Sequence, residues 1–473
     1  MPDRILLPLI VACALFMENL DSTVLSTALP AIAADFGANP IHLKLALTSY
    51  LLALAVFIPA SGWLADRFGA RSIFCLAIVT FVAGSIFCGL SSSIGEIIAG
   101  RIVQGMGGAM MVPVGRLVIL RSVAKHEIVG SLAWLTVPAL IGPVLGPPVG
   151  GFITTWFAWR WIFWINVPVG VLGLALALLF IPDIRGETRV RFDTLGFLLS
   201  GFGLALFMTG STTLGLDLLP RPLVLTFFFG GAALLLAYVL HSRRTPNPIL
   251  DLSLLRIPTF GASIAGSILF LLGVGATPFL LPLLLQIGFG MSPFRSGTIT
   301  FASAIGAIAM KFAAPPILRR FGFRTVLVGN ALIAALFVML PATFSPATPI
   351  ALMTGLLLVG GFFRSLQFTG VNALAYADVP PGRLSRATSL TSVGQQLALS
   401  IGISVGAITL EVTSAATGGV ITADTFWPAF IVVGLLAGLS AIPFALLARD
   451  AGDEMSGRRP IAPDAVTAMR ERG

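Results

Sequence analysis

The sequence predicts an all-α membrane protein, two six-helix bundles with two further helices inserted between them, fourteen transmembrane spans in all. Composition, the length of the apolar runs and an internal repeat carry that prediction. Of 473 residues 56% are hydrophobic and 10% charged, with a mean hydropathy of +0.98, where an ordinary soluble domain carries roughly 25% charged residues. Apolar runs of about 20 residues, each able to cross about 30 Å of hydrocarbon, recur almost from end to end. The solvent for most of this chain is lipid.

Charged and Pro/Gly-rich breaks divide the chain into spans starting near residues 5, 43, 72, 96, 128, 160, 194, 222, 259, 293, 325, 349, 386 and 425. With the N-terminus in the cytoplasm, Lys44, Arg160, Arg221 and Arg295 fall on the far side and Arg101, Lys311 and Arg364 inside spans. The rest of the 29 Lys and Arg lie on cytoplasmic segments, as the positive-inside rule requires. Both termini are therefore expected inside. The net charge of +9 is spread over short clusters between spans and forms no continuous stripe for nucleic acid. Glu18 and Asp21 interrupt the first apolar stretch, so it reads as a retained helix and not a signal peptide.

The repeat lies in two turns. Asp66-Arg67-Phe68-Gly69-Ala70-Arg71 recurs 253 residues later as Arg319-Arg320-Phe321-Gly322-Phe323-Arg324. Spans one to six are thereby read as duplicated in nine to fourteen. The expected organisation is an N-terminal bundle over 1–182, two inserted helices with cytoplasmic flanks over 183–258, a C-terminal bundle over 259–448 and a disordered cytoplasmic tail over 449–473. Paired bundles around a midplane site are one way to build alternating access.

Glu18 and Asp21 are read as the acids placed within a span. A charge at mid-membrane costs about 2.5–3.5 kcal/mol and usually faces the bundle interior. Three residues apart, the two are about 4.5 Å apart along one helical face, close enough to titrate as a coupled pair. A structural alternative makes either acid a permanent salt-bridge partner. Arg101, at matching depth in span four, is expected to hold Asp21 in one state and release it in the other. Gly142, Gly146 and Gly150 recur every four residues, a smooth packing stripe, with Pro143 and Pro147 removing backbone donors. Gln104, Lys311, Arg364, Gln395 and Gln396 are candidates to line a cavity otherwise apolar and aromatic. Lys311 can also snorkel to the interface, and the glutamines can serve interhelical hydrogen bonds.

Residues 62–71, Gly-Trp-Leu-Ala-Asp-Arg-Phe-Gly-Ala-Arg, resemble the loop motif of the major facilitator superfamily at Gly62, Asp66, Arg67, Gly69 and Arg71. In that motif Gly62 would allow helix approach, Gly69 a tight turn, and Asp66 a latch that breaks between states; a loop that only fixes topology is the alternative. Leu20 to Val24 with Ala28-Leu29-Pro30 is similar to the first-span signature of fourteen-span drug:proton antiporters of the EmrB/QacA type. Arg101, Gln104, Gly105, Gly107 and Ala109 resemble the fourth-span motif linked there to proton transfer. Gly142-Pro143-Val144-Leu145-Gly146-Pro147-Pro148-Val149-Gly150-Gly151, followed by Trp159-Arg160-Trp161-Ile162-Phe163, Asn166 and Pro168, looks like the fifth-span antiporter motif and its sequel. Pro59 to Trp63 and Gly107 to Pro113 look most like MdtD-type multidrug exporters.

The resemblance implies a major facilitator fold in a bacterial inner membrane, exporting small molecules against protons. It implies no cofactor beyond the proton gradient, and substrate, protons and lipid as the partners of a functional monomer. An exporter of organic acids or metal–citrate-type chelates keeps the fold and changes the cargo; a non-transporting sensor or scaffold is a reading from another class. No phosphate-binding Gly-rich loop, catalytic carboxylate pair or Ser/His/Asp arrangement occurs, so no enzyme is expected. Cys13, Cys75 and Cys88 lack ligand spacing and are expected as free thiols. His42, His126 and His241 sit at span ends and are expected to be interfacial.

Overall fold

The computed structural model describes residues 3–122, 142, 145–182, 191–213, 219–380 and 383–452. Its long helices are α1 Asp3–Asp35, α2 Lys44–Phe68, α3 Ala70–Leu90, α4 Ile94–Ser122, α5 over 145–156, α6 Trp161–Phe180, α7 Thr194–Thr213, α8 Arg221–Ser242, α9 Pro258–Gly288, α10 Pro293–Phe321, α11 Phe323–Met339, α12 Ile350–Ala375, α13 Leu384–Ala416 and α14 Trp427–Leu439. Twelve helices among the described residues are long and apolar enough to cross a membrane. The fifth expected span begins outside the described residues. The tenth, α10, has the length at 29 residues, but the side chains of Lys311, Phe312 and Pro315 lie outside the described residues, and it is not among the twelve.

Local chemistry sets several boundaries. The Asn39 side chain accepts from the Ile41 amide at 2.9 Å, capping the short turn that leads into α2. Ser292 accepts from the Arg295 amide at 3.3 Å, and Pro293 occupies the first turn of α10, where its missing N–H costs nothing. Helix α9 is interrupted after Val274, resumes over Thr277–Leu283 with Pro278 in the first turn and Pro282 inside it, and closes in a π turn over Leu284–Gly288; each proline removes a backbone donor there. Gly69 (φ 95°) joins α2 to α3, and Gly322 (φ 75°) joins α10 to α11. A Cβ is strained in that region, so the sequence repeat is a repeat of backbone conformation.

Helix pairing repeats as well. Helix α3 packs on α4 and α6, α2 on α4, and α1 on α6; eight helices later α11 packs on α12 and α14, α10 on α12, and α9 on α14. Helices α7 and α8 pair with each other, and α7 lies against α2 and α13. Leu179, Leu236, Leu336 and Leu435 stand exposed on the outer surface, the inverse of a soluble fold and the arrangement lipid rewards.

At the end where α8 leads into α9, Asp251 receives Arg383 at 2.7 Å, with Arg386 at 3.6 Å. Burial pushes its carboxyl up, but hydrogen bonds from Ser253 and Arg383 and the Arg383 charge more than offset that and hold it below the usual range. A depressed carboxylate contributes stability above its unfolded value and loses it as pH falls through the folded one. Asp251→Asn is therefore expected to lower the apparent Tm in detergent at neutral pH, with the difference vanishing on acidification. An unchanged Tm difference across that range would refute the assignment.

Candidate functional site

Asp21 lies mid-way along α1, 3% exposed, and Arg101 lies early in α4, 1% exposed. Arg101 Nη1 pairs with Asp21 Oδ2. Arg101 also donates from Nη1 to Gln104 Oε1 at 2.8 Å and from Nε to the Ala46 carbonyl at 3.1 Å, and its guanidinium lies 4.3 Å from the Tyr50 ring centroid. The other carboxylate oxygen, Oδ1, accepts from Asn166 Nδ2 at 2.7 Å and Gln104 Nε2 at 3.1 Å. Ser85 Oγ accepts from both amides, at 2.6 Å from Gln104 and 3.0 Å from Asn166. Five helices, α1, α2, α3, α4 and α6, thus converge on one buried carboxylate.

Close approach makes this geometry possible. A Cβ on Gly84 would fall 2.6 Å from the Gln104 amide nitrogen and 2.7 Å from its Cγ, so only glycine lets Gln104 reach Ser85. Both Asp21 oxygens accept from N–H donors; Glu18 lies one turn earlier on α1. It is half-buried beside Gly108, where a Cβ would meet Tyr50 Oη at 2.8 Å and Glu18 Oε1 at 3.4 Å.

A cavity of about 410 Å³ opens among α1, α5, α9, α10, α11 and α12. Thr23, Ser26 and Pro147 form one wall, and Phe270, Phe337 and Phe368 contribute aromatic surface. Arg364 lines it and donates to Ser303 Oγ at 2.9 Å. The lining holds no acid, and no carboxylate among the described residues forms an ion pair with Arg364.

The other cavity candidates lie elsewhere. Gln104 belongs to the Asp21 network, and Gln395 donates to Asn372 Oδ1 at 3.2 Å; neither they nor Gln396 line the cavity. Lys311 is on α10 and Asp66 on α2, but both side chains lie outside the described residues. Gly62 is exposed with nothing within 4 Å of a would-be Cβ, so it does not bring helices together here. Arg67 is exposed and Arg71 half-buried around the Gly69 turn.

Pro143 also falls outside the described residues, but the rest of its motif forms a seam. Gly142 packs on Asn19 and Leu20 of α1, Gly146 on Thr23, and Gly150 on Val24 and Thr27. On the other side Gly151 meets Pro293 and Phe294 of α10, and Gly297 of α10 meets Pro147 and Pro148. Helix α5 is therefore wedged between α1 and α10. A Cβ on Gly150 would sit 2.7 Å from the Val24 carbonyl oxygen. Gly150→Val is expected to cost about 1–3 kcal/mol through overpacking and to lower the apparent Tm and folded yield, whereas Gly62→Val leaves both unchanged. Equal effects at the two positions would count against the seam.

Residues 11–250 and 263–468 match the Major Facilitator Superfamily. The chain belongs to that superfamily. It is 38% identical over 453 residues to "Putative multidrug resistance protein MdtD" of Salmonella heidelberg (strain SL476), covering 94% of this chain and 95% of the relative. The protein of that name from Salmonella typhimurium is equally similar, with the same coverage. The fold is shared with a D-xylose–proton symporter (TM-score 0.68, 15% identity, 94% of this chain and 98% of that one) and the nucleoside transporter NupG (TM-score 0.66, 14% identity, 93% and 98%). This facilitator-superfamily protein is thus a multi-pass membrane transporter related to MdtD.

The sequence reading overlooked Ser85, Tyr50 and Glu411. Ser85 is a lone hydroxyl in an apolar run and Tyr50 one of three tyrosines; polarity inside an apolar span was the available signal. Glu411 lies inside α13, so Glu18 and Asp21 are not the only in-span acids. The thiols Cys13, Cys75 and Cys88 are free. His241 pairs with Asp193 at 2.8 Å, and His126 lies outside the described residues.

Proposed function

We propose that the protein is a proton-coupled exporter of small molecules, working by alternating access across a bacterial inner membrane with both termini in the cytoplasm. The buried Asp21–Arg101 pair carries this reading. In a site this deeply buried, a proton on Asp21 removes the charge that Arg101 pairs with, and breaking a buried pair costs about 3–5 kcal/mol. Moving a two-state equilibrium from 1:99 to 99:1 takes about 5.5 kcal/mol. One protonation event therefore supplies most of what a conformational switch needs. Gln104 and Asn166 bridge Asp21 to Ser85, so the change reaches α3 and α6 as well as α4.

The name of the MdtD relatives supports drugs as cargo. Arg364 favours a second reading, organic anions or their metal chelates, since the cavity presents a guanidinium with no acid beside it. Purified protein in proteoliposomes tests transport itself: ethidium or citrate accumulation that follows an imposed pH gradient and collapses with a protonophore is the expected result. Flux indifferent to the gradient would exclude proton coupling, and absence of flux for any compound class would favour a sensor or scaffold.

A further inference from the structure

Lys44, the first residue of α2, is fully buried at 0% exposed, and its Nζ makes no hydrogen bond among the described residues. An ammonium so placed is costly unless an opposite charge lies close. Helix α2 packs along α13, and the charge of Glu411 on α13 acts on Lys44 across that seam. Glu411 is half-buried, with Oε2 shut away from solvent.

The seam joins the two halves at one end of the molecule. Hydrogen bonds link residues before 183 to residues after 258 there: Gln286 Nε2 donates to the Thr27 carbonyl at 3.0 Å, and the Phe294 amide to Thr155 Oγ1 at 3.0 Å. Both lie near the end where α1 finishes and α2 begins. Beside the seam is a second cavity of about 250 Å³ bounded by α2, α4, α7 and α13. Ser49 and Ser400 line it with buried hydroxyls that lack hydrogen-bond partners among the described residues. Its surface is largely apolar, but these hydroxyls are sites where water can bond, and such water would give the seam a proton path.

We propose that Glu411 is a second proton-carrying residue of the transport cycle, acting as the gate between the halves by balancing or releasing Lys44. It rests on the proton-coupled reading above. As a carboxylate, Glu411 neutralises Lys44 and the halves stay together. A proton from the extracytoplasmic side converts it to the neutral acid, the buried ammonium loses its balancing charge, and the halves part until water reaches Lys44. The same proton leaves toward the cytoplasm when the opposite end opens. Asp21 and Arg101 lie on α1 and α4, but Arg101 donates to the carbonyl of Ala46, two residues along α2 from Lys44, so both charged sites bear on the start of α2. His42, on the turn before α2, is the other titratable group on which Lys44 acts.

Spin labels at Ser92 and Ala347, both exposed and on different halves, in a chain with Cys13, Cys75 and Cys88 replaced by alanine, report the gate without any substrate. The unaltered gate is expected to shift to longer distances as pH falls from about 9 to about 5. Glu411→Gln should hold the long-distance population at every pH, about tenfold above the unaltered protein at the alkaline end. Glu411→Asp should keep a response with a displaced midpoint, and Lys44→Met with Glu411→Gln should remove the response. A Glu411→Gln response of unaltered midpoint and amplitude overturns the proposal, as does an unaltered protein with no response. Loss of both the response and the folded protein in Glu411→Asp marks the pair as merely structural and also overturns it. Asp21→Asn separates the two readings: uphill transport lost there while Glu411→Gln behaves as unaltered leaves proton coupling standing and sinks the gate alone.

Discussion

Asp21→Asn is expected to fold, insert and lose proton-driven accumulation, with uptake under an imposed pH gradient falling about tenfold or more. Asparagine keeps an oxygen that can accept from Arg101, and Arg101 retains the Ala46 carbonyl, Gln104 and the face of Tyr50. What disappears is the carboxylate proposed to take and give a proton. Arg101→Gln is the sharper structural lesion, because Asp21 would lose its counter-charge in a site 3% exposed. A loss of about 3–5 kcal/mol is expected there, seen as a lower apparent Tm. The double variant Asp21→Asn with Arg101→Gln should recover much of that loss, since it removes both charges together. Uptake by Asp21→Asn vesicles at the unaltered rate would show that another acid carries the proton, with Glu18 the next on the same helix.

Much of this organisation was legible from the chain because membranes leave few solutions. Backbone groups in lipid must bond within a helix, so apolar run length gives the spans, and a turn requiring positive φ preserves Gly69 and Gly322 as markers of duplication. The Asp21–Arg101 pairing was also readable, from an acid and a base at matching depth. What sequence could not supply was direction. The residues at 104, 395 and 396 are all glutamine, yet one belongs to the ion-pair network, one bonds Asn372, and none faces the cavity. Side-chain direction depends on helix rotation, and the contrast between apolar and polar faces that would reveal it is weak where lipid and core are equally apolar. Glu411 was missed for a related reason: Thr413, Ser414 and two alanines follow it toward the end of α13, so it reads as a span boundary although the helix continues to Ala416.

Arg364→Gln is expected to reverse the charge preference of the cavity. In the unaltered protein a monovalent cation entering the 410 Å³ space meets a guanidinium that is bonded to Ser303 and balanced by no acid in the lining. Even at an effective dielectric of about 20, like charges about 4 Å apart repel by about 4 kcal/mol, and an anion gains by the same amount. Cargo that keeps its charge away from α12 escapes most of this penalty, so aromatic drugs held by Phe270, Phe337 and Phe368 remain compatible with the site while small carboxylates depend on Arg364. Glutamine retains a donor to Ser303 and approximate length but no charge. Ethidium and citrate export, measured side by side in proteoliposomes under the same pH gradient, should then diverge: dye export unharmed or raised, and citrate export lost by about a hundredfold, the equivalent of roughly 3 kcal/mol. Citrate export undetectable in the unaltered protein would remove the anion reading. Equal loss of both cargoes would place Arg364 in the conformational machinery instead of the cargo contact.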